Sequence, residues 1–159
     1  MKFRPLSTNE RAETPGYTHV GIITADDLTQ ATANTLQTIT FTALRAGDAV
    51  LGVFWYLKTP FRNTADAAFN SDTISLGDTA AVTTHLTAAE ANANGTFVTF
   101  RLGTTGVLYT AADILTVTIN SMAAKSLVNI NRGELLVFYR LSRVKDSGDA
   151  LAATAIAKT

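Results

Sequence analysis

The chain has no cysteine, one tryptophan, two histidines and three prolines in 159 residues. Without cysteine there is neither a disulfide framework nor a thiolate metal site. Two histidines, His19 and His85, leave little material for imidazole metal ligation or a catalytic triad. Charge of one sign is also missing: thirteen Lys and Arg balance thirteen Asp and Glu. Nucleic-acid binders carry an excess of basic side chains to neutralise phosphates, so nucleic acid is not an expected partner. No apolar run approaches the ~20 residues needed to cross a bilayer. The longest, residues 50–57, is strand-sized, and no membrane partner is expected. The opening MKFRPLSTNERAETPG lacks the apolar core of a signal peptide, which predicts a soluble protein that is not Sec-exported.

What is present points to a folded β protein. Hydrophobic residues make up 47% of the chain and charged ones 16%, which excludes a disordered polymer. The length suits one domain with its own core. Thr and Ala together supply roughly a third of all residues, far above ordinary usage. Thr is β-branched and favours strands, while Ala permits flat loops and close subunit packing. Zero net charge removes the long-range repulsion between copies, which an assembly component tolerates better than a free enzyme does.

Residues 110–141, TAADILTVTINSMAAKSLVNINRGELLVFYRL, carry the clearest pattern. Leu115, Val117 and Ile119 alternate with Thr116 and Thr118, the period-two signature of a strand with one buried and one wet face. The same grammar recurs at residues 18–24, 35–44, 73–76, 96–102, 107–110 and 134–141. In 35–44, Ile39, Phe41 and Ala43 oppose Thr38, Thr40 and Thr42. Residues 50–58, VLGVFWYLK, are apolar on both faces, which predicts a central strand covered by the core on one side and by a loop or partner on the other. Trp55 there shares a face with Leu51, Val53 and Leu57 and reads as core. One short helix is expected at residues 85–92, HLTAAEAN, stopped by Asn94-Gly95. The organisation predicted is an N-terminal arm (1–17), a β domain (18–145) and a C-terminal tail (146–159). About eight turn-punctuated strands with one helix in a connection favour an all-β, antiparallel, jelly-roll-like β-sandwich over a seven-stranded immunoglobulin type.

Reactive constellations do not emerge. GxSxG, GxxxxGK[ST] and GxGxxG are absent from the sequence. His19 lies in a strand and reads as structural, and His85 reads as part of a helix start. Most aspartates fall at strand ends and turns, where their side chains bond nearby amides. A surface Ca²⁺ site from Asp72, Asp78 and loop carbonyls is conceivable, but the spacing is no EF-hand loop. Arg132, Arg140, Arg143 and Lys145 form a late basic group without an aromatic platform for bases, which favours a solvated strand face or subunit contact over nucleic acid. No cofactor, no metal and no enzymatic activity are expected.

The segments LTAAEANANGT, GTTG, YTAADILTVTIN and GELLVFYRL, within residues 35–141, resemble small virion proteins of tailed bacteriophages. The cadence is similar to capsid decoration, or cement, proteins of β-sandwich or jelly-roll fold. Minor tail and tail-fibre domains share it, and a carbohydrate-binding β-sandwich is a further alternative. The resemblance implies a protein made in the host cytoplasm and carried on the virion surface, with the major capsid protein as partner and self-association as a homodimer or homotrimer. Capsid or subunit contacts would then fall on the arm (Phe3, Arg4, Leu6) and on the connection bearing Phe61, Arg62 and Phe69. Phe61 and Phe69 are equally readable as caps on the core's open end.

Overall fold

Alternation becomes register in the computed structural model, which describes residues 2–92, 100–103 and 106–143. Ten strands occur among them: β1 (Lys2–Pro5), β2 (His19–Thr24), β3 (Gln37–Leu44), β4 (Ala49–Arg62), β5 (Asp72–Gly77), β6 (Leu86–Glu90), β7 (Phe100–Leu102), β8 (Val107–Leu108), β9 (Asp113–Ser121) and β10 (Arg132–Ser142). They form two antiparallel sheets. One runs β1-β2-β10-β4-β7, with β8 also paired to β4; the other runs β3-β9-β5-β6. From β2 onward the chain repeatedly crosses between the sheets, so that strands distant in sequence, such as β2 and β10, lie side by side. This is jelly-roll connectivity, two interlocked Greek keys, with β1 added at one edge.

The core lies between the sheets. Val53, Trp55 and Leu57 of β4 and Leu135, Val137 and Tyr139 of β10 face Ile39, Ile74, Leu76, Leu115, Val117 and Ile119. Trp55 is fully buried, as its face of β4 required.

Among the register shifts of the two sheets, two β-bulges change which of the expected residues face the core. Between β10 and β4 the pairing steps from Arg140↔Gly52 to Leu141↔Val50, so Leu51 is the extra residue. Val50 is therefore buried and Leu51 exposed, contrary to the expected inward Leu51. In β3 the pairing steps from Thr40↔Thr116 to Thr42↔Leu115. Phe41 is the extra residue there, and beyond it Leu44 is buried where Ala43 was expected. The Phe41 ring fills the space over Gly21, where an added Cβ would lie 2.6 Å from its Cζ.

Residues 86–90 form β6, not the expected helix. Ile74↔Ala89 and Leu76↔Leu86 pair across to β5, and Leu86 and Ala89 are buried. A segment this short gains little as an isolated helix, and strand pairing with two buried contacts outweighs its helical propensity. Helix α1 (Thr8–Glu13) instead lies in the N-terminal segment, between Pro5 and Pro15. The Asn94-Gly95 stop, residues 96–99, Thr104-Thr105 and the tail from 144 fall outside the described residues.

Candidate interaction surface

The six-stranded sheet turns an apolar face outward as well as inward. Its registers align Val20, Phe138, Phe54 and Leu102 in one row across four strands, and Ile22, Leu136 and Tyr56 in the next. Residues opposite one another in paired strands point to the same side, so both rows lie on the outer face. Phe54 and Phe138 have ring centroids 5.9 Å apart, and Tyr17 sits over both at 6.1 and 6.3 Å.

The N-terminal segment covers part of this face. Leu6 is buried against Val20 and Phe138, with Tyr17 packed on the same cluster. Between Leu6 and Tyr17 runs α1, held by a reciprocal cap. Ser7 Oγ accepts from the Glu10 amide at 3.4 Å, and the Ser7 amide donates to Glu10 Oε2 at 2.9 Å. Arg4 donates two bonds to the same carboxylate, at 2.6 and 2.7 Å. The Arg4 hydrogen bonds, followed by those from Ser7, hold the Glu10 carboxyl far below the usual carboxylate range. A hollow of about 190 Å³ remains between this segment and the sheet, lined by Arg4, Glu10, Glu13, Ile22, Leu136 and others. Leu102 at the far end of the first row is 74% exposed, and Leu108 on the same edge is 62% exposed.

The six anticipated contact residues divide into two groups on different parts of the molecule. Phe3 lies in edge strand β1, stacked on His19 at 5.4 Å and on Phe41 at 5.6 Å. Arg4 is exposed and bound to Glu10, and Leu6 is buried beneath α1. Phe61 and Phe69 are both fully buried in the core cluster, so neither ring lies on the surface of this chain. The Phe61 ring occupies the space a Cβ on residue 133 would need, which explains the glycine there. Arg62 reaches the surface beside Asn63, Thr64 and Ala67.

Polar groups inside the fold belong to its packing. His85, expected at a helix start, is buried with Nε2 2.8 Å from the Tyr109 hydroxyl, which donates to Asp78 Oδ2 at 3.0 Å. Burial, then the Asp78 hydrogen bond, pushes the Tyr109 phenol up. All three residues are buried. Asp72 and Asp78, the Ca²⁺ candidates, are both buried. Asp78 is engaged by Tyr109 and the Ala81 amide, while both Asp72 carboxylate oxygens lack hydrogen-bond partners among the described residues. Burial and the nearby Glu90 raise Asp72 well above the usual range. Among the described residues no three His, Cys, Asp or Glu side chains come together as a metal site. No helix among them is long and apolar enough to cross a membrane.

Sequence reasoning did not single out Tyr17, Phe54 or Phe138. The available signal was VLGVFWYLK, apolar on both faces, whose second cover turns out to be partly the chain's own N-terminal segment.

No protein-family model and no curated protein matches the sequence. Solved structures do match by shape. A chain of the cyanophage Pam1 capsid asymmetric unit aligns over 76% of this chain and 81% of its own, at 23% identity and TM-score 0.50. The two share a fold. A chain of the acid-stable capsid of the Helicobacter pylori bacteriophage KHP30 aligns over 80% and 92%, at 10% identity and TM-score 0.48.

Proposed function

We propose that this chain is a structural virion protein that decorates a tailed-phage capsid and stabilises it by bridging neighbouring major capsid protein subunits. The observation that carries the reading is the jelly roll shared with a chain of the Pam1 capsid. It is joined to a sheet whose outer face is aromatic and only partly covered. An apolar face rimmed by charge is what a subunit contact requires. Surface buried across a subunit boundary favours the assembled shell by mass action, because the bridging chain binds the closed lattice and not its separated parts.

In this reading Arg4 and Arg62 meet the shell directly and Phe3 supports the contact from β1. Leu6, Phe61 and Phe69 act from beneath, holding the arm and the 61–71 connection in shape. Self-association as a dimer or trimer multiplies weak contacts on a symmetric shell.

The test is to mix the purified chain with expanded shells that lack decoration and to follow co-sedimentation. Saturation at a fixed ratio to the major capsid protein, with raised shell melting temperature, is the expected result. Absence of shell binding, with attachment to tails or to a glycan instead, overturns it.

A further inference from the structure

The chain is neutral as a whole, but its charge is unevenly placed. Arg140 is the next outward residue after Phe138 on β10, beside Gly52, whose missing Cβ leaves Arg140 Cβ and the Tyr17 ring facing one gap. Arg143 follows directly after β10 and, among the described residues, donates to neutral oxygens of β3, the Thr42 hydroxyl at 3.1 Å and the Ala43 carbonyl at 3.5 Å. Arg11 on α1 completes the group. All three are exposed, and among the described residues none is paired with a carboxylate. The acids of the same segment, Glu10 and Glu13, line the hollow instead, with Glu10 held by Arg4. His19 registers the resulting field: burial lowers its pKa first, and then the charges of Arg143 and Arg11.

We infer that this arginine-bearing end of the six-stranded sheet docks an acidic face of a second, different protein, with Tyr17, Phe54 and Leu102 at the apolar centre of the contact. The inference rests on the shell reading and specifies the chemistry of the partner face. Arg and aromatic side chains together are the composition of interface hot spots. Three guanidiniums at this end of the sheet, none of them paired with a carboxylate among the described residues, match bidentate carboxylate recognition across a rim. An identical copy fits less well, because a two-fold contact would bring these arginines toward one another. Nucleic acid also fits less well, since three arginines on a neutral chain neutralise few phosphates.

The variants are R11E/R140E/R143E, the neutral R11Q/R140Q/R143Q, and K58E as a charge-reversal control at another place on the sheet, beside Glu134. Each is assayed for co-sedimentation with undecorated shells, for retention on immobilised poly-L-glutamate, and for binding to double-stranded DNA. The expected result is at least a roughly tenfold loss of shell affinity for the glutamate variant, a smaller loss for the glutamine variant, and wild-type binding by K58E. Far-UV circular dichroism selects folded protein, and the glutamine set stands in should the glutamate set not fold. Shell binding by the variants equal to wild type overturns the inference and leaves the shell reading intact. Equal loss in K58E, preference for DNA over poly-L-glutamate, or loss of self-association in the variants also overturns it. If wild type ignores shells, the shell reading falls. The acidic-face inference is then decided by poly-L-glutamate alone: retention lost in the variants supports it, and no retention overturns it.

Discussion

The two sheets share one core but differ on their outer faces. The four-stranded sheet carries a Thr and Ser ladder that the chain itself covers on its inner strands, at Ser75, Thr116 and Thr118, while Thr38 and Thr40 on β3 stay exposed. Thr116 is 2% and Thr118 1% exposed, although their pattern predicted a wet face. Thr118 Oγ1 lies 3.1 Å from Thr38 Oγ1, and Thr116 donates to the Asp78 carbonyl at 3.3 Å. The backbone of Ala81 and Val82 comes down directly on Gly77, and Asp113 takes both the amide and hydroxyl of Thr79. The six-stranded sheet is the opposite case, with apolar aromatic rows that end uncovered at Leu102. Hydroxyls are short, and a loop can satisfy them at close range. Rows of large rings need another large surface, and the N-terminal segment supplies only part of one.

The largest effect that would break this contrast is at Gly77. Gly77→Ala places a methyl against the Ala81 and Val82 backbone, which cannot yield as a flexible side chain can. Urea denaturation should show a loss of about 2–3 kcal/mol, whereas a near-neutral result would mean the 78–84 loop does not seal the Thr face. On the other side, Phe54→Ala removes a half-buried ring packed on Phe138 and Tyr17. A loss of about 2 kcal/mol is expected, below the range for a fully buried phenylalanine, together with weaker shell binding. A loss matching that of Trp55→Ala would show the outer row to be core in the ordinary sense.

Ser7→Ala tests how the cover on that face is held. Removing the cap should cost about 1 kcal/mol and raise amide exchange in Thr8–Glu13 selectively. Uniform exchange across the domain would mean that the segment does not open independently.

Acid and base should distinguish the sides as well. Asp72, on β5 of the four-stranded sheet, has its folded pKa raised by burial and by Glu90, from a usual value of 3.8. Its contribution to stability is complete below that value and declines as pH rises toward the folded pKa. Asp72→Asn should therefore remove a downward slope in melting temperature between acid and neutral pH, and a slope that persists assigns the effect elsewhere. Glu10 behaves oppositely. Its lowered pKa makes its contribution present above the usual 4.5 and lost as pH falls, so α1 should fray in acid while β5 does not.

Much of this arrangement was legible in residue order, for identifiable reasons. Leu115, Val117, Ile119 and Trp55 were placed inward by alternation, since side chains on a strand can only point to one face or the other. Leu51, Ala43 and residues 85–92 were misplaced. A bulge advances the phase by one residue, and five residues take the conformation their neighbours impose. Phe61 and Phe69 could be read as anchors or as caps from residue order; only the tertiary structure shows both rings buried, Phe61 against Gly133.

Sequence alone determined that the chain is all-β, that its core comes from alternating aliphatic residues, and that β4 needs cover on both faces. These depend on local period and composition, which residue order carries directly. Tertiary structure decided which cover each face receives. Whether a Thr row meets its own loop, or an aromatic row meets α1 and then solvent, depends on residues as far apart in sequence as Leu6 and Phe138. Their meeting is set by the crossing order of the strands, which no local period contains.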